Sequence, residues 1–322
     1  MKTKKLLPIL AVTLAAAVFS GCSTGSKTVE FKNYWLKDLT AASVEQYEET
    51  LSYNVTFEKE SGVDSMAYDL DYQNGSYTTT LKHYSDGKCE FTTKLTIDAV
   101  YTLEGGAPVV KQDIVETYVQ FYRAQDALTP IKSTKTIHSH TPKNIAEDVD
   151  SVEECFLEAW YSIETNYAEG EGVCVTQDLI PPEGSDQLSD PETFDFSMGK
   201  KYSYLDNEQL LIGLRAMSTS TSSATVKTFS PFAETVQKIS VSFDSDEAST
   251  TLDVTENGTL SAKKPFTYRA AELSISATNS GATQTVWIAT EKSRNVMLRL
   301  ETPLSFNLGT LVYSLNSIDR AE

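Results

Sequence analysis

Apolar and polar residues alternate with a period of two along much of this chain, the spacing of strands buried on one face. Leu51, Tyr53, Val55 and Phe57 alternate with Ser52, Asn54, Thr56 and Glu58. Met66, Tyr68, Leu70 and Tyr72 then lead into Asn74-Gly75, a dipeptide that favours a two-residue hairpin loop. A hairpin there pairs Tyr72 with Tyr77, Leu70 with Thr79 and Tyr68 with Leu81, so one face stays apolar through the turn. At Asp86-Gly87 a two-residue loop would set Leu81 against Thr92 and flip the face. Three loop residues, with Gly87 in the left-handed region, restore the match and predict a bulged turn. Cys89 to Leu103 alternates again, Gly105-Gly106-Ala107-Pro108 breaks it, and Val109 to Arg123 is extended. Apolar residues on both parities of that last segment fit a central or twisted strand.

Leu128 to Pro142 carries no core pattern beyond Ile131 to Ile137, and the acidic stretch Glu147 to Glu154 divides the chain into halves. Leu157 to Tyr167 alternates, although Val152, Phe156, Trp160, Ile163 and Tyr167 also make a helical stripe. The Gly170-Glu171-Gly172 turn before Val173 and Val175 favours a hairpin, which sets Cys155 and Cys174 far from opposite each other and unpaired. Ile180 to Asp195, with three prolines, reads as a loop. Asp206 followed by Gln209 opens a helix with Leu210, Leu211, Leu214 and Met217 on one face. Strands return at Thr235 to Phe243, with turns at Asn257-Gly258, Asn279-Ser280-Gly281 and Asn307 to Gly309. The expected fold is mainly β, a β-rich α+β class: a curved antiparallel meander, half-open and barrel-like, with one or two short helices. So long a meander should curl or close to protect its edges.

The first residues break this pattern. Lys2, Lys4 and Lys5 precede an apolar run from Leu6 to Phe19 that ends in Ser20-Gly21-Cys22. The run is shorter than the roughly 20 residues that cross a bilayer, and it has the form of a secretory leader. It resembles a bacterial lipobox, which implies cleavage before Cys22 and lipidation of that cysteine. The expected organisation is a signal peptide at 1–21, a lipidated tether at 22–46, and antiparallel β halves at 47–148 and 149–322, which one continuous domain can contain. A lipid on Cys22 would hold the protein at the cell membrane, facing away from the cytoplasm, at about 0.8 kcal/mol per buried methylene.

Charge agrees with that placement. The chain has 27 Lys+Arg against 45 Asp+Glu, net −18, and becomes −21 when the three leader lysines are lost. Such a field repels phosphate backbones, so no nucleic-acid partner is expected, and it repels anionic headgroups, so the lipid must supply the membrane contact. Cys89, Cys155 and Cys174 remain after lipidation and are expected to be buried, inert thiols.

Candidate chemistry is sparse. Gly21-Cys22-Ser23-Thr24-Gly25 matches a nucleophile elbow but has no preceding strand and would lose Gly21. Ser85 to Lys88 and Ser261 to Lys264 match S-x-x-K without the helical context that chemistry needs. His83, His138 and His140 are the only histidines. His138 and His140 share a strand face but lack an evident third ligand, so solvated surface histidines are expected. Asp244 to Glu247 and Asp148 to Glu154 lack the glycine and ligand spacing of a calcium loop. No catalytic residue, metal or cofactor is assigned. Tyr68, Leu70, Tyr72, Tyr77, Leu81, Ile97 and Tyr101 share one apolar face. They read first as core and second as the lining of a concave site for an apolar ligand.

The order of Asp206 to Arg215, Lys264-Pro265-Phe266-Thr267-Tyr268, Thr285 to Ala289, Val296 to Pro303 and Gly309 to Ile318 resembles a β-rich domain of unknown function from bacterial envelope lipoproteins. That domain is similar to the lipoprotein-carrier architecture, which implies a strongly curved antiparallel sheet over a few helices and carries over no site residue. The expected function is therefore a non-enzymatic, membrane-anchored binding module for a lipid-like small molecule. Its alternative is a structural or adhesive envelope protein that engages another macromolecule, which a closed sheet without a cavity would favour. A hydrolase is the third reading.

Overall fold

The computed structural model describes residues 31, 46–123, 127–145, 149–199, 203–217, 222–275, 283–290 and 295–321. The leader, Cys22 and the Asn279-Ser280-Gly281 turn lie outside them. The described chain is a single sheet of fifteen strands: β1 (Gln46–Lys59), β2 (Tyr68–Tyr84), β3 (Lys88–Leu103), β4 (Val109–Arg123), β5 (Leu128–Pro142), β6 (Phe156–Ala168), β7 (Glu171–Asp178), β8 (Glu192–Ser197), β9 (Ser223–Ser230), β10 (Thr235–Phe243), β11 (Ala248–Glu256), β12 (Thr259–Ile275), β13 (Gln284–Ala289), β14 (Met297–Pro303) and β15 (Gly309–Ala321). One short helix, α1 (Leu210–Ala216), follows a 3-10 turn at Asn207–Gln209. The mainly-β class expected from the alternation is the fold observed. No helix among the described residues is long and apolar enough to cross a membrane.

Neighbours in sequence are neighbours in the sheet from β8 back to β1, and β1 then joins the last strand, β15. From β15 the order runs through β14, β13 and β12 to β10 and β9. β11 pairs with β12 on one side and, in parallel, with β15 on the other through Thr255–Ser317 and Glu256–Ile318. Strands β11 to β15 thus form a closed ring, and closure removes the free edges that a long meander would expose. The outer edges of the whole sheet also meet: Phe196 of β8 stacks on Phe229 of β9, with ring centroids 4.1 Å apart. Residues 203–205 bind the backbone of Lys227 beside them.

Two readings of turns need correction. Asn74-Gly75 is not a hairpin loop; it lies inside β2, a single strand of 17 residues. There Asn74 takes a positive φ of 52°, and two residues of β2 oppose one of β3 between Gln73–Asp98 and Ser76–Thr96. The extra residue resets parity, so Tyr72 and Tyr77 both face inward although they are five apart. The inference from parity holds, but a bulge achieves it. Ile180 to Asp195 is not all loop, since β8 pairs with β7 from Glu192. Leu128 to Pro142, which shows little core pattern, is nevertheless a full strand because β4 and β6 pair with it on both sides. Its Pro130 sits at a register shift, where its missing N–H costs least. Gly87, at φ 84°, closes the bulged three-residue turn as expected, with Leu81 opposite Phe91. Asn257-Gly258 also turns as read, with both residues at positive φ.

α1 packs into the core of the sheet, with Leu210, Ile212, Leu214 and Ala216 buried. Asp206 caps the 3-10 turn that leads into it, its carboxylate accepting from the Glu208 N–H at 2.8 Å, while Gln209 completes the capping box. This end is pinned to β5 and β6. Ser133 and Tyr167 each donate to Asp206 at 2.6 Å, and Lys135 meets Glu208 at 3.0 Å. The other end is pinned to β1, where Arg215 donates to Glu49 at 2.5 Å.

Candidate functional site

Two places can be asked whether they bind anything: the inner face, where the expected ligand-lining residues lie, and the outer face around His138 and His140. On the inner face Tyr68, Leu70, Tyr72, Tyr77, Leu81, Ile97 and Tyr101 all lie in one core, none more than 4% exposed. They pack on one another and their neighbours rather than around a space. Tyr77 meets Tyr53 and Tyr313 at 5.7 and 5.3 Å between centroids, and Tyr68 meets Tyr101 at 5.7 Å. Several hydroxyls are spent on backbone. Tyr68 donates to Lys143 O at 2.7 Å, Tyr101 to His140 O at 2.5 Å and Tyr53 to Met297 O at 3.0 Å. Burial raises the phenol pKa values of Tyr68, Tyr72, Tyr77 and Tyr101, so all stay neutral. The cavity between Tyr77, Leu95, Val115, Leu210, Leu211 and Leu273 holds about 20 Å³, room for one water. α1 and these tyrosines are packed into the same core.

The outer face is different. His138 and His140 stand two apart on β5, and the register of β5 with β6 sets Trp160 opposite His138 and Glu158 opposite His140. His138 Nε2 lies 2.9 Å from Glu158 Oε1, and His140 Nε2 lies 3.9 Å from the same oxygen, beyond hydrogen-bond length. The His138 ring stacks on Trp160 with centroids 5.0 Å apart, and Trp160 is 43% exposed. Behind them the pairing of β4 with β5 ends at Ile114–His138. Just past that end, the Asp113 carboxylate takes the place of a ladder partner: its Oδ1 accepts from the His140 backbone N–H at 2.7 Å and from ring Nδ1 at 2.8 Å. A backbone N–H can only donate, so this oxygen is an acceptor, and the ring offers it Nδ1–H. In a neutral ring this arrangement leaves the lone pair on Nε2, the nitrogen that lies 3.9 Å from Glu158 Oε1. Asp113 is fully buried and its Oδ2 has no hydrogen-bond partner. Burial pushes its carboxyl pKa up, against the bonds from His140 that pull it down. Among the described residues this is the one group of three or more His, Cys, Asp or Glu whose ligand atoms converge, all within 4.8 Å.

The remaining candidates are dispersed. His83 sits apart, opposite Cys89, and burial and Arg123 push it down to about 4. Cys89, Cys155 and Cys174 are free and buried. Burial raises all three thiols, Cys89 to about 12 and Cys174 to about 11, which leaves them protonated and unreactive. Ser85 and Lys88 flank a hairpin turn, and Ser261 and Lys264 lie on β12, so neither S-x-x-K pair stands one helical turn apart.

The sequence sets His138 and His140 on one strand face and leads to an expectation of solvated rings with no third ligand nearby; solvation fits His138, 32% exposed, and fails for His140. His140 is buried, and Glu158 arrives from the neighbouring strand. A signal for the buried carboxylate is present in the sequence: Asp113 shares its parity with Val115, Val119 and Phe121, an ionisable residue on a core-facing register.

No known family profile matches the chain, and no curated protein matches it. Among solved structures the chain is similar to a β-barrel-like protein of the domain of unknown function DUF1849 from Brucella abortus. The identity is 8%, over 87% of this chain and 100% of that one, with a TM-score of 0.49.

Proposed function

We propose that the chain is a lipid-anchored envelope protein whose barrel-like body is a non-enzymatic binding module, acting through its outer face on another macromolecule. The observation that carries the reading is the filled interior. On the lipoprotein-carrier plan an apolar ligand occupies the concave side, but here α1 and the packed tyrosines lie on that side, and the cavity beside Tyr77 and Leu210 holds about 20 Å³. An acyl chain would have to displace α1, which buried polar contacts tie down at both ends. The outer face of β5 to β7 offers what the interior lacks. A groove of about 360 Å³ runs along Thr134, Thr136, Ser162, Glu164 and Gln177, on the strand parity that leads to His138 and the exposed Trp160. Polar groups beside an exposed aromatic make a surface that can recognise a partner without burying a large apolar patch.

Anchoring rests on the leader and Gly21-Cys22. Metabolic labelling with palmitate should mark the wild type and not Cys22→Ser; equal labelling of both would remove the anchor. Native mass spectrometry of the protein lacking residues 1–22 separates the two binding modes. A ligand-free mass across preparations fits the outer-face reading, and a retained lipid would restore the interior one.

A further inference from the structure

We propose that His138, His140 and Glu158 form a binding site for a divalent transition-metal ion, zinc foremost, on the outer corner of β5 and β6, with Asp113 as its supporting carboxylate. Two imidazoles and one carboxylate are a donor set suited to zinc, with a fourth position left for water or another ligand. The distances fit with little movement. Zinc–ligand bonds of about 2.0–2.2 Å in a tetrahedron put ligand atoms roughly 3.3–3.5 Å apart. Here Glu158 Oε1 is 2.9 and 3.9 Å from the two Nε2 atoms, and no pair exceeds 4.8 Å. His138 and Glu158 are 32% and 49% exposed and can make the final adjustment, while His140 is 7% exposed and held.

The support behind the cluster distinguishes it from a chance pair of surface histidines. A metal-binding histidine typically gives its other ring N–H to a carboxylate, which fixes the tautomer and raises ligand basicity. Asp113 is placed to receive that N–H from His140, at 2.8 Å and fully buried. A buried carboxylate with one oxygen lacking a partner is costly in an apolar setting. A divalent cation bound through His140 would compensate that charge. His138 is steadied by stacking on Trp160. The inference uses the outer face of the proposed function, and it leaves one coordination position open to a donor atom from whatever docks there. Metal binding is measured without a partner, so its failure would leave the outer-face reading standing.

The test uses purified full-length protein, stripped of metal and titrated with Zn²⁺ against a chromophoric chelator, and in parallel with Co²⁺. One ion per chain is expected, with the visible ligand-field bands of four-coordinate Co²⁺. His138→Ala and Glu158→Gln lie at the surface and should keep the β-sheet circular dichroism of the wild type while each weakens zinc binding about 100-fold. Asp113→Asn, which keeps an oxygen beside His140 Nδ1 without the charge, should weaken it about 10- to 100-fold. Absence of stoichiometric zinc binding would overturn the proposal. So would stoichiometric binding that His138→Ala and Glu158→Gln both leave unchanged.

Discussion

Glu49 and Asp113 are both buried carboxylates on strands of the same sheet, and they are compensated to very different degrees. Glu49 receives Arg215 at 2.5 Å on one oxygen and Arg320 at 3.0 Å on the other. Those two guanidinium groups hold its pKa below the usual range, against a desolvation effect that alone would raise it. Asp113 has one oxygen bonded twice to His140 and the other bonded to nothing, and its pKa is raised. The first arrangement is electrically complete and ties β1, α1 and β15 together. The second is incomplete, and it sits directly behind the most ligand-like group in the described chain. A saturated ionic cluster is a structural joint; the half-saturated one is where the proposed metal ion would supply the missing positive charge.

The comparison breaks most visibly on the Glu49 side. Removing one partner of a buried ion pair leaves an uncompensated charge and costs about 3–5 kcal/mol. Arg215→Ala is therefore expected to lower unfolding free energy by that amount in urea titration, the largest effect predicted here. A loss under about 1 kcal/mol would mean that Arg320 alone satisfies Glu49.

Acid titration sharpens the same contrast. The folded pKa of Glu49 is depressed, so its contribution is present above the ordinary glutamate pKa near about 4.3. It is lost as pH falls through the lower folded value. Asp206, the buried helix cap, has a raised pKa. Its contribution has the opposite sign: present below the ordinary aspartate value of about 3.9, and lost as pH rises through the folded value. Stability measured against pH should show Glu49→Gln flattening the steep acid limb. Asp206→Asn should remove the gain on mild acidification. Superimposable curves for wild type and Glu49→Gln would deny the ion pairs their role.

The tightly built wall around Glu49 is also where the alternation was most legible and its interpretation least secure. Leu51, Tyr53 and Val55 on β1, and Tyr72 and Tyr77 on β2, show their inward parity directly in the sequence. Asn74-Gly75 signals positive φ equally well for a hairpin and for a bulge, and only the strand lying across it decides. Gly75 runs so close to β1 that an added Cβ would stand 2.5 Å from Val55 O. No local pattern reports such a contact between strands. For the same reason the outer cluster was half visible: His138 and His140 are adjacent on one strand, but Glu158 and Asp113 come from β6 and β4, whose registers the chain does not spell out. The resulting expectation is that Gly75→Ala costs about 1–3 kcal/mol through overpacking, whereas Asn74→Gly, which keeps the bulge, changes stability by no more than about 0.5 kcal/mol. A hairpin at this position would accept alanine poorly too, but it would not set Ser76 against Thr96 and Tyr77 against Leu95. Cross-strand disulfide trapping at Ser76 and Thr96 reads that register directly.

The smallest effect belongs to the outer corner, and it becomes informative when metal is varied. Without metal, His138→Ala and Glu158→Gln should lie within about 0.5 kcal/mol of wild type, since partly exposed pairs contribute little. A ligand that binds only the folded state adds RT ln(1 + [L]/Kd), about 2.7 kcal/mol at one hundred times the dissociation constant. Wild type should therefore gain that much with zinc at such a concentration, and a variant bound about 100-fold more weakly should gain only about 0.4 kcal/mol. Arg215→Ala, with its defect in the other cluster, should start far lower and still gain the full increment, because the two sites share no residue. If zinc fails to stabilise wild type, or stabilises His138→Ala equally, then Asp113 is simply a costly carboxylate that the fold tolerates, and the contrast with Glu49 is one of degree rather than of purpose.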